Sequence, residues 1–272
     1  MNNQRGFTLI ELLVVVAVIA LLIGILLPSL AAARASGETV KATAAVRSLM
    51  QAYVMYADDH DGRVVPGKLS FQQAAGVEDE LGNTLAPFVG QRWVYRLAPY
   101  FDHVWIGTTH LGDRADFDAE RQQIVSQPGG VFDWSYRVSI FPSFGLNYLY
   151  MGGDYAKPGW ISKGYHVRRL SDAFQSSSLI TFASSRFYVG PDRTDGHVWV
   201  EPPRLGSSFS EEQQTNAPAT RFGWIHPRYQ EKAVAGWADG HASTLDEAGL
   251  LDRQFWANPA RAAGDSMWEP KQ

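Results

Sequence analysis

Residues 7 to 27 form one apolar run of 21 residues in which Glu11 is the only charge. At about 1.5 Å per residue a helix of that length spans roughly 30 Å, the thickness of a bilayer's hydrocarbon core. A chain carrying such a run must cover it with protein or place it in lipid. A secretory signal has a shorter apolar region and a small-residue cleavage site after it. Here the run is longer, and the small residue, Gly6, lies before it. Glu11 needs a reason, because a carboxylate inside an apolar segment costs a few kcal/mol on insertion scales. One reading is a carboxylate near the membrane edge, reaching to water. The sharper reading is a cut after Gly6. Phe7 then carries a new positive amine one helical turn from Glu11, free to pair with it within the chain or in a neighbouring subunit.

Pro28 follows the run, with Gly24 shortly before that proline, so a kink is expected there. Ala31 to Ala35 is almost all small residues, which favours close helix–helix approach. Beyond Val40 the pattern becomes amphipathic. Val46, Leu49, Met50, Tyr53 and Tyr56 recur at helical spacing, with Arg47, Ser48 and Gln51 on another face. Asp58-Asp59-His60-Asp61-Gly62 reads as the stop, with Gly62 as the terminating residue.

The remaining residues suffice for one compact core. Net charge is −4 with no basic block, which argues against nucleic acid as a partner. There is no cysteine, which excludes thiol catalysis, thiolate metal sites and a lipid-modified Cys anchor. Arg92 to Phe101 reads as a short helix and residues 102–135 as a loop-rich insertion. Phe144 to Met151 reads as a strand, Val167 to Phe174 as a turn or short helix, and Leu179 to Ser185 as a buried strand. Pro191 to Thr220 is polar and reads as a surface loop. Ala233 to Leu245 reads as two strands joined at Asp239-Gly240 by a type I′ turn, and Leu250 to Trp256 closes the fold.

Chemistry-bearing candidates are few. Asp58, Asp59 and Asp61 could help hold calcium, but the EF-hand order is absent and a polar helix end explains them. Asp239-Gly240-His241 could suggest acid–base work, yet a hairpin needs Asp-Gly for its backbone alone. Asp195-Gly196-His197 repeats the triplet in a polar loop. His103 and His110 lack a third ligand of suggestive spacing. The 9 Trp and 11 Tyr are spread along the chain, as core and interface residues are. No catalytic constellation, cofactor motif or metal site stands out, and the chain is not expected to be an enzyme.

Arg5, Gly6, Phe7 and Glu11, followed directly by the apolar run, resemble the class III signal of type IV pilins and type II secretion pseudopilins. The resemblance implies a prepilin peptidase that cuts after Gly6 and methylates Phe7, with Glu11 as the fifth mature residue. The segments YADDHDG (56–62), FGLNYLYMGG (144–153), LSDAFQSSSLITFASS (170–185) and AVAGWADGHASTLDEAGLLDRQFW (233–256) resemble a pseudopilin-like family abundant in planctomycetes. Its tail carries a His, nine residues, then Asp-Gly. Here twelve residues (227–238) lie between His226 and Asp239, a departure from that spacing.

The resemblance implies an α+β, pilin-like fold: a leader (1–6), a transmembrane helix (7–29), its amphipathic extension (30–61) and a globular head (62–272) on an antiparallel sheet. It implies a filament subunit of a type II secretion or type IV pilus-like machine, held in the inner membrane by a single span, N-terminus cytoplasmic and head periplasmic. Its partners would be the prepilin peptidase, other pseudopilins, the inner-membrane assembly platform and the lipid bilayer. The runner-up is a minor or tip subunit on the same scaffold that recognises glycan or another exported ligand.

Overall fold

The computed structural model describes residues 9–187, 196–207 and 219–271. Helix α1 runs from Leu9 to Asp59 over 51 residues, about 77 Å at the standard rise. It continues unbroken through Pro28 and Gly37, where the sequence suggests weak points. It stops because Asp61 and Gly62 take positive φ (55° and 77°) and the Gly62 N–H turns back onto the Ala57 carbonyl at 2.8 Å.

The head is built on five strands: β1 (Phe144–Asn147), β2 (Ile180–Ser184), β3 (Trp199–Val200), β4 (Ala233–Trp237) and β5 (Ala242–Leu245). Their order is β3-β1-β2-β4-β5. Every pairing is antiparallel except β1 with β3, which is parallel with Leu146 opposite Trp199. The class is therefore α+β, with a long apolar helix and a mostly antiparallel sheet.

The sheet is covered on both sides, which is why β1, β2 and β4 are buried at every position. On one face α1 lays Val46, Leu49, Met50 and Tyr53 against Phe144, Leu146, Phe182 and Val234. Trp93 joins them, its indole N–H donating to the Val198 carbonyl at 2.6 Å, and meets Phe182 edge-on at 4.9 Å. The other face carries Ile180, Ala183, Ala235, Trp237, Phe222, Leu250 and Trp256. Ile180 and Phe182 have the same parity yet fall on opposite faces. The register shift between them supplies the missing half-step. Gly236 lets the helix approach: a Cβ there would sit 2.7 Å from Val46 Cγ1 and 2.8 Å from Met50 Cγ.

Four local expectations need correction. Residues 102–135 are not a loop-rich insertion, for they contain helix Arg114–Val125 and the start of helix Gly130–Ile140. Asp113 caps the first through Ala115 N–H at 2.7 Å. Gln127 to Gly130 is the tight connection between two helices joined by Phe117 against Trp134 (4.9 Å) and Arg137 paired with Glu120 (2.7 Å). The strand expected over Phe144 to Met151 ends at Asn147, where the Met151 N–H closes a turn on the Asn147 carbonyl. Within the expected loop 191–220 lies β3, whose Val200 is fully buried at the sheet edge; residues 191–195 and 208–218 are outside the described set.

The β4–β5 connection is not type I′. That turn needs positive φ at both central residues, and of the pair only Gly240 has it, at 94°. The Gly240 N–H donates to the Trp237 carbonyl at 2.8 Å and the Trp237 N–H to the His241 carbonyl at 2.9 Å. This is a three-residue loop in which a type I turn is followed by a glycine bulge.

Candidate functional site

The residues with the clearest functional signature lie at the start of α1. Glu11 lies near the beginning of the described part of α1, two residues after Leu9. Arg5, Gly6 and Phe7 lie outside the described residues. Every residue from Leu9 to Arg34 is exposed, from Leu9 at 81% to Leu27 at 61%. This segment belongs to the one described helix long and apolar enough to cross a membrane. A helix apolar all round is normally surrounded by protein or lipid. Among the described residues none covers its most apolar 18-residue window.

Polar groups in α1 are accommodated by the helix itself. Ser29 Oγ donates to the Leu26 carbonyl (2.8 Å), and Thr39 and Thr43 donate to carbonyls four residues back. From Ala42 onward the helix acquires a buried stripe, Ala42, Ala45, Val46, Leu49, Met50 and Tyr53, seated on the head. Arg47, Ser48 and Gln51 face solvent, as their spacing predicts.

The histidines and aspartates distribute differently. At the β4–β5 turn, Asp239 Oδ1 lies 2.6 Å from His241 Nδ1 and also accepts from the His241 N–H, while the imidazole stacks on Trp237 at an interplanar angle of 9°. All these contacts hold the loop's own shape. His226 sits where its backbone pairs with β2: its N–H donates to the Ser184 carbonyl, and Ser184 Oγ donates back to the His226 carbonyl, both at 2.9 Å. Burial, with Arg228 and Arg186 nearby, pushes His226 down to about 3. Burial likewise holds His110 at about 3 and His197 at about 4. These imidazoles are neutral at ordinary pH. Asp195 lies outside the described residues. Among the described residues no three His, Cys, Asp or Glu side chains gather into a metal-holding group.

One feature carries no local sequence signal. Where α1 ends, a cleft of about 550 Å³ opens between residues 56–66 and 152–169. Residues 62–64 and 168–170 run side by side, with Val64 N–H donating to the Arg168 carbonyl and Leu170 N–H to the Gly62 carbonyl, both at 3.0 Å. That pairing brings Arg63, Arg168 and Arg169 to one wall. Tyr56 and His60 stack at 3.9 Å on another, and Tyr155 completes the rim. Residues about a hundred positions apart meet here, which no spacing rule reads from a single sequence.

Comparisons with known proteins bear on the N-terminal part. Residues 1–27 match the prokaryotic N-terminal methylation motif. The chain is similar to the type IV wide pilus major component PilA4 of Thermus thermophilus, 43% identical over 61 residues, which is 22% of this chain and 47% of that protein. It thus spans about half the length of that curated relative. No solved structure matches the chain. The chain is type IV pilin-like in its methylation motif and in the apolar helix that follows.

Proposed function

We propose that this protein is the precursor of a structural filament subunit, a pseudopilin of a type II secretion or type IV pilus-like assembly. A prepilin peptidase cuts between Gly6 and Phe7 and methylates the new amine. Residues 7–29 then hold the subunit in the inner membrane, N-terminus cytoplasmic and head periplasmic, until an assembly platform draws it into a filament with other subunits. The reading is structural, not catalytic. Asp239-Gly240-His241 at the C-terminal hairpin supports reading the head as a variant of the planctomycete-type pseudopilin-like group, with twelve rather than nine residues between His226 and Asp239.

One observation carries the reading: an apolar helix bearing a single acid, fully uncovered by its own head, directly after a methylation motif. Lipid covers that surface before assembly and neighbouring helices cover it afterwards. Glu11 is costly in both settings unless paired, and cleavage creates a partner amine at Phe7. If the partner belongs to the next subunit, the pair sets the axial register between copies.

The test is the mature N-terminus and the Glu11→Ala variant, studied with no wild-type copy present. Mass spectrometry should find a chain starting at a methylated Phe7. Glu11→Ala should remain in the membrane and be cut normally, because the apolar run is intact. Its filament yield should fall at least about tenfold, since removing one member of a desolvated charge pair strands the other. A mature chain starting at Met1, or normal filaments from the variant, would overturn the reading.

A further inference from the structure

The cleft at the end of α1 is chemically one-sided. Its lining includes Arg63, Arg168, Arg169 and His60 and no carboxylate, in a chain whose net charge is −4. The nearby acids are engaged elsewhere or contribute backbone. Asp172 accepts from the Arg169 N–H at 2.9 Å, Asp154 lies 3.6 Å from Lys157, and Asp61 offers its carbonyl to Arg169 Nη1 at 2.6 Å. The Arg168 Nε–H meets His166 Nε2 at 3.3 Å. None of the three arginines has a carboxylate partner among the described residues, and the Arg63 side chain makes no hydrogen bond there at all. Arg96 stands behind Pro66, donating to its carbonyl at 2.8 Å, and adds positive potential at Tyr56.

Guanidinium groups pair with flat or tetrahedral oxyanions through two parallel N–H donors, a geometry lysine lacks. The volume lies within the range of small-ligand pockets. Tyr56, whose ring is stacked on His60, and Tyr155 add aromatic surface to the lining. An extended peptide finds no free backbone donor here, because the outward N–H groups of Arg63 and Arg169 already donate to the His60 carbonyl and to Asp172.

We propose that this cleft binds a carboxylate- or sulfate-bearing saccharide, its anionic groups held by Arg63, Arg168 and Arg169 and its rings by Tyr56 and Tyr155. The site lies in the head and does not depend on whether the chain enters a filament, so this inference and the filament reading fail separately.

The test is calorimetric titration of the full chain in a polyoxyethylene detergent, which carries no sugar. The probes are oligogalacturonate, whose only acid is carboxylate, a carrageenan oligosaccharide, whose only acid is sulfate ester, fully methyl-esterified oligogalacturonate and oligoglutamate of equal charge. At least one acidic saccharide should bind, and the tighter of the two identifies the carboxylate or the sulfate source. The methyl ester and oligoglutamate should bind at least about tenfold more weakly, and binding should weaken with salt. Arg63→Gln should lower affinity about tenfold with an unchanged melting temperature, Arg63→Lys should recover part of it, and Arg114→Gln, on a distant exposed helix, should change nothing. Arg168→Gln gives a second, independent variant. No binding of either acidic saccharide, equal binding of the ester or of oligoglutamate, or unchanged affinity in folded Arg63→Gln and Arg168→Gln would overturn the proposal.

Discussion

Residues 9–34 and 42–57 belong to one helix and meet opposite surroundings. The first part is apolar around its whole circumference and exposed throughout; the second buries Ala42, Ala45, Val46, Leu49, Met50, Ala52, Tyr53 and Ala57 and turns its polar residues outward. Both are helical, so propensity does not separate them. The second half carries a stripe because its partner, the β4–β5 face of the sheet, lies on one side. The first half has no stripe because whatever covers it does so from all sides. A helix's circumference thus reports the shape of its surroundings, and here it changes midway along one element from uncovered and apolar all round to buried along one stripe.

The sharpest way to break this comparison is a matched pair of truncations. Leu49 is fully buried between α1 and the sheet, whereas Leu22 is 54% exposed. In detergent-solubilised full-length protein, Leu49→Ala should destabilise the head by about 2–5 kcal/mol, the range for emptying a core leucine site. Leu22→Ala should shift the thermal melt by less than about 0.5 kcal/mol. Equal losses would mean that both halves depend on the head.

Acid should act on the stability of the head. His197 is 5% exposed, stacked on Trp224 at 4.6 Å, and its Nδ1 lies 2.8 Å from the Trp199 carbonyl. Burial holds it near 4 in the fold, against about 6.5 in an open chain. Below pH 6.5 the unfolded chain takes up a proton that the folded one refuses. The stabilising effect is therefore complete above about pH 6.5 and is lost towards pH 4, by up to about 1.4 kcal/mol per pH unit. His197→Phe should flatten the wild-type slope by that amount in denaturant titrations at pH 7 and pH 5. An unchanged slope would show that this imidazole already titrates freely.

The hairpin that receives the second half of α1 gives a smaller effect. Gly240 has φ 94° with open space where a Cβ would stand, so strain rather than collision sets the penalty. Gly240→Val should cost about 1–3 kcal/mol in thermal melts. His241→Ala, which removes a surface stack and one hydrogen bond, should cost less than about 1 kcal/mol. The reverse order would point to a role for His241 beyond the turn.

Smallest of all should be the response of the head to Pro28→Ala. Proline inside a helix costs about 3 kcal/mol locally relative to alanine, so hydrogen exchange around residues 24–32 should slow. The melt of the head should not move, because residues 9–34 make none of its core. A shifted melt would show coupling along α1 and blur the two-part description.

The sequence by itself determined the parts of this protein whose physics is local. The apolar run with Glu11, the switch to an amphipathic stripe at Val46–Tyr53, the helix stop at Gly62 and the hairpin at Asp239-Gly240 each rest on neighbours within a turn or two, which periodicity and backbone preference read directly. Tertiary structure decided the rest. Helix Arg114–Val125 was masked by scattered charge, although Asp113 was its legible cap. Trp199–Val200 is too short to alternate and becomes a strand only because β1 offers an edge. Strands buried on both faces show no in–out pattern, so the side each residue takes depended on α1, on Gly236 and on the shift between Ile180 and Phe182. The arginine cleft exists because residues 62–64 and 168–170 pair across a hundred positions. Contacts of that range leave no periodic trace in a single chain, since they are set by which surfaces the core leaves adjacent once it has closed.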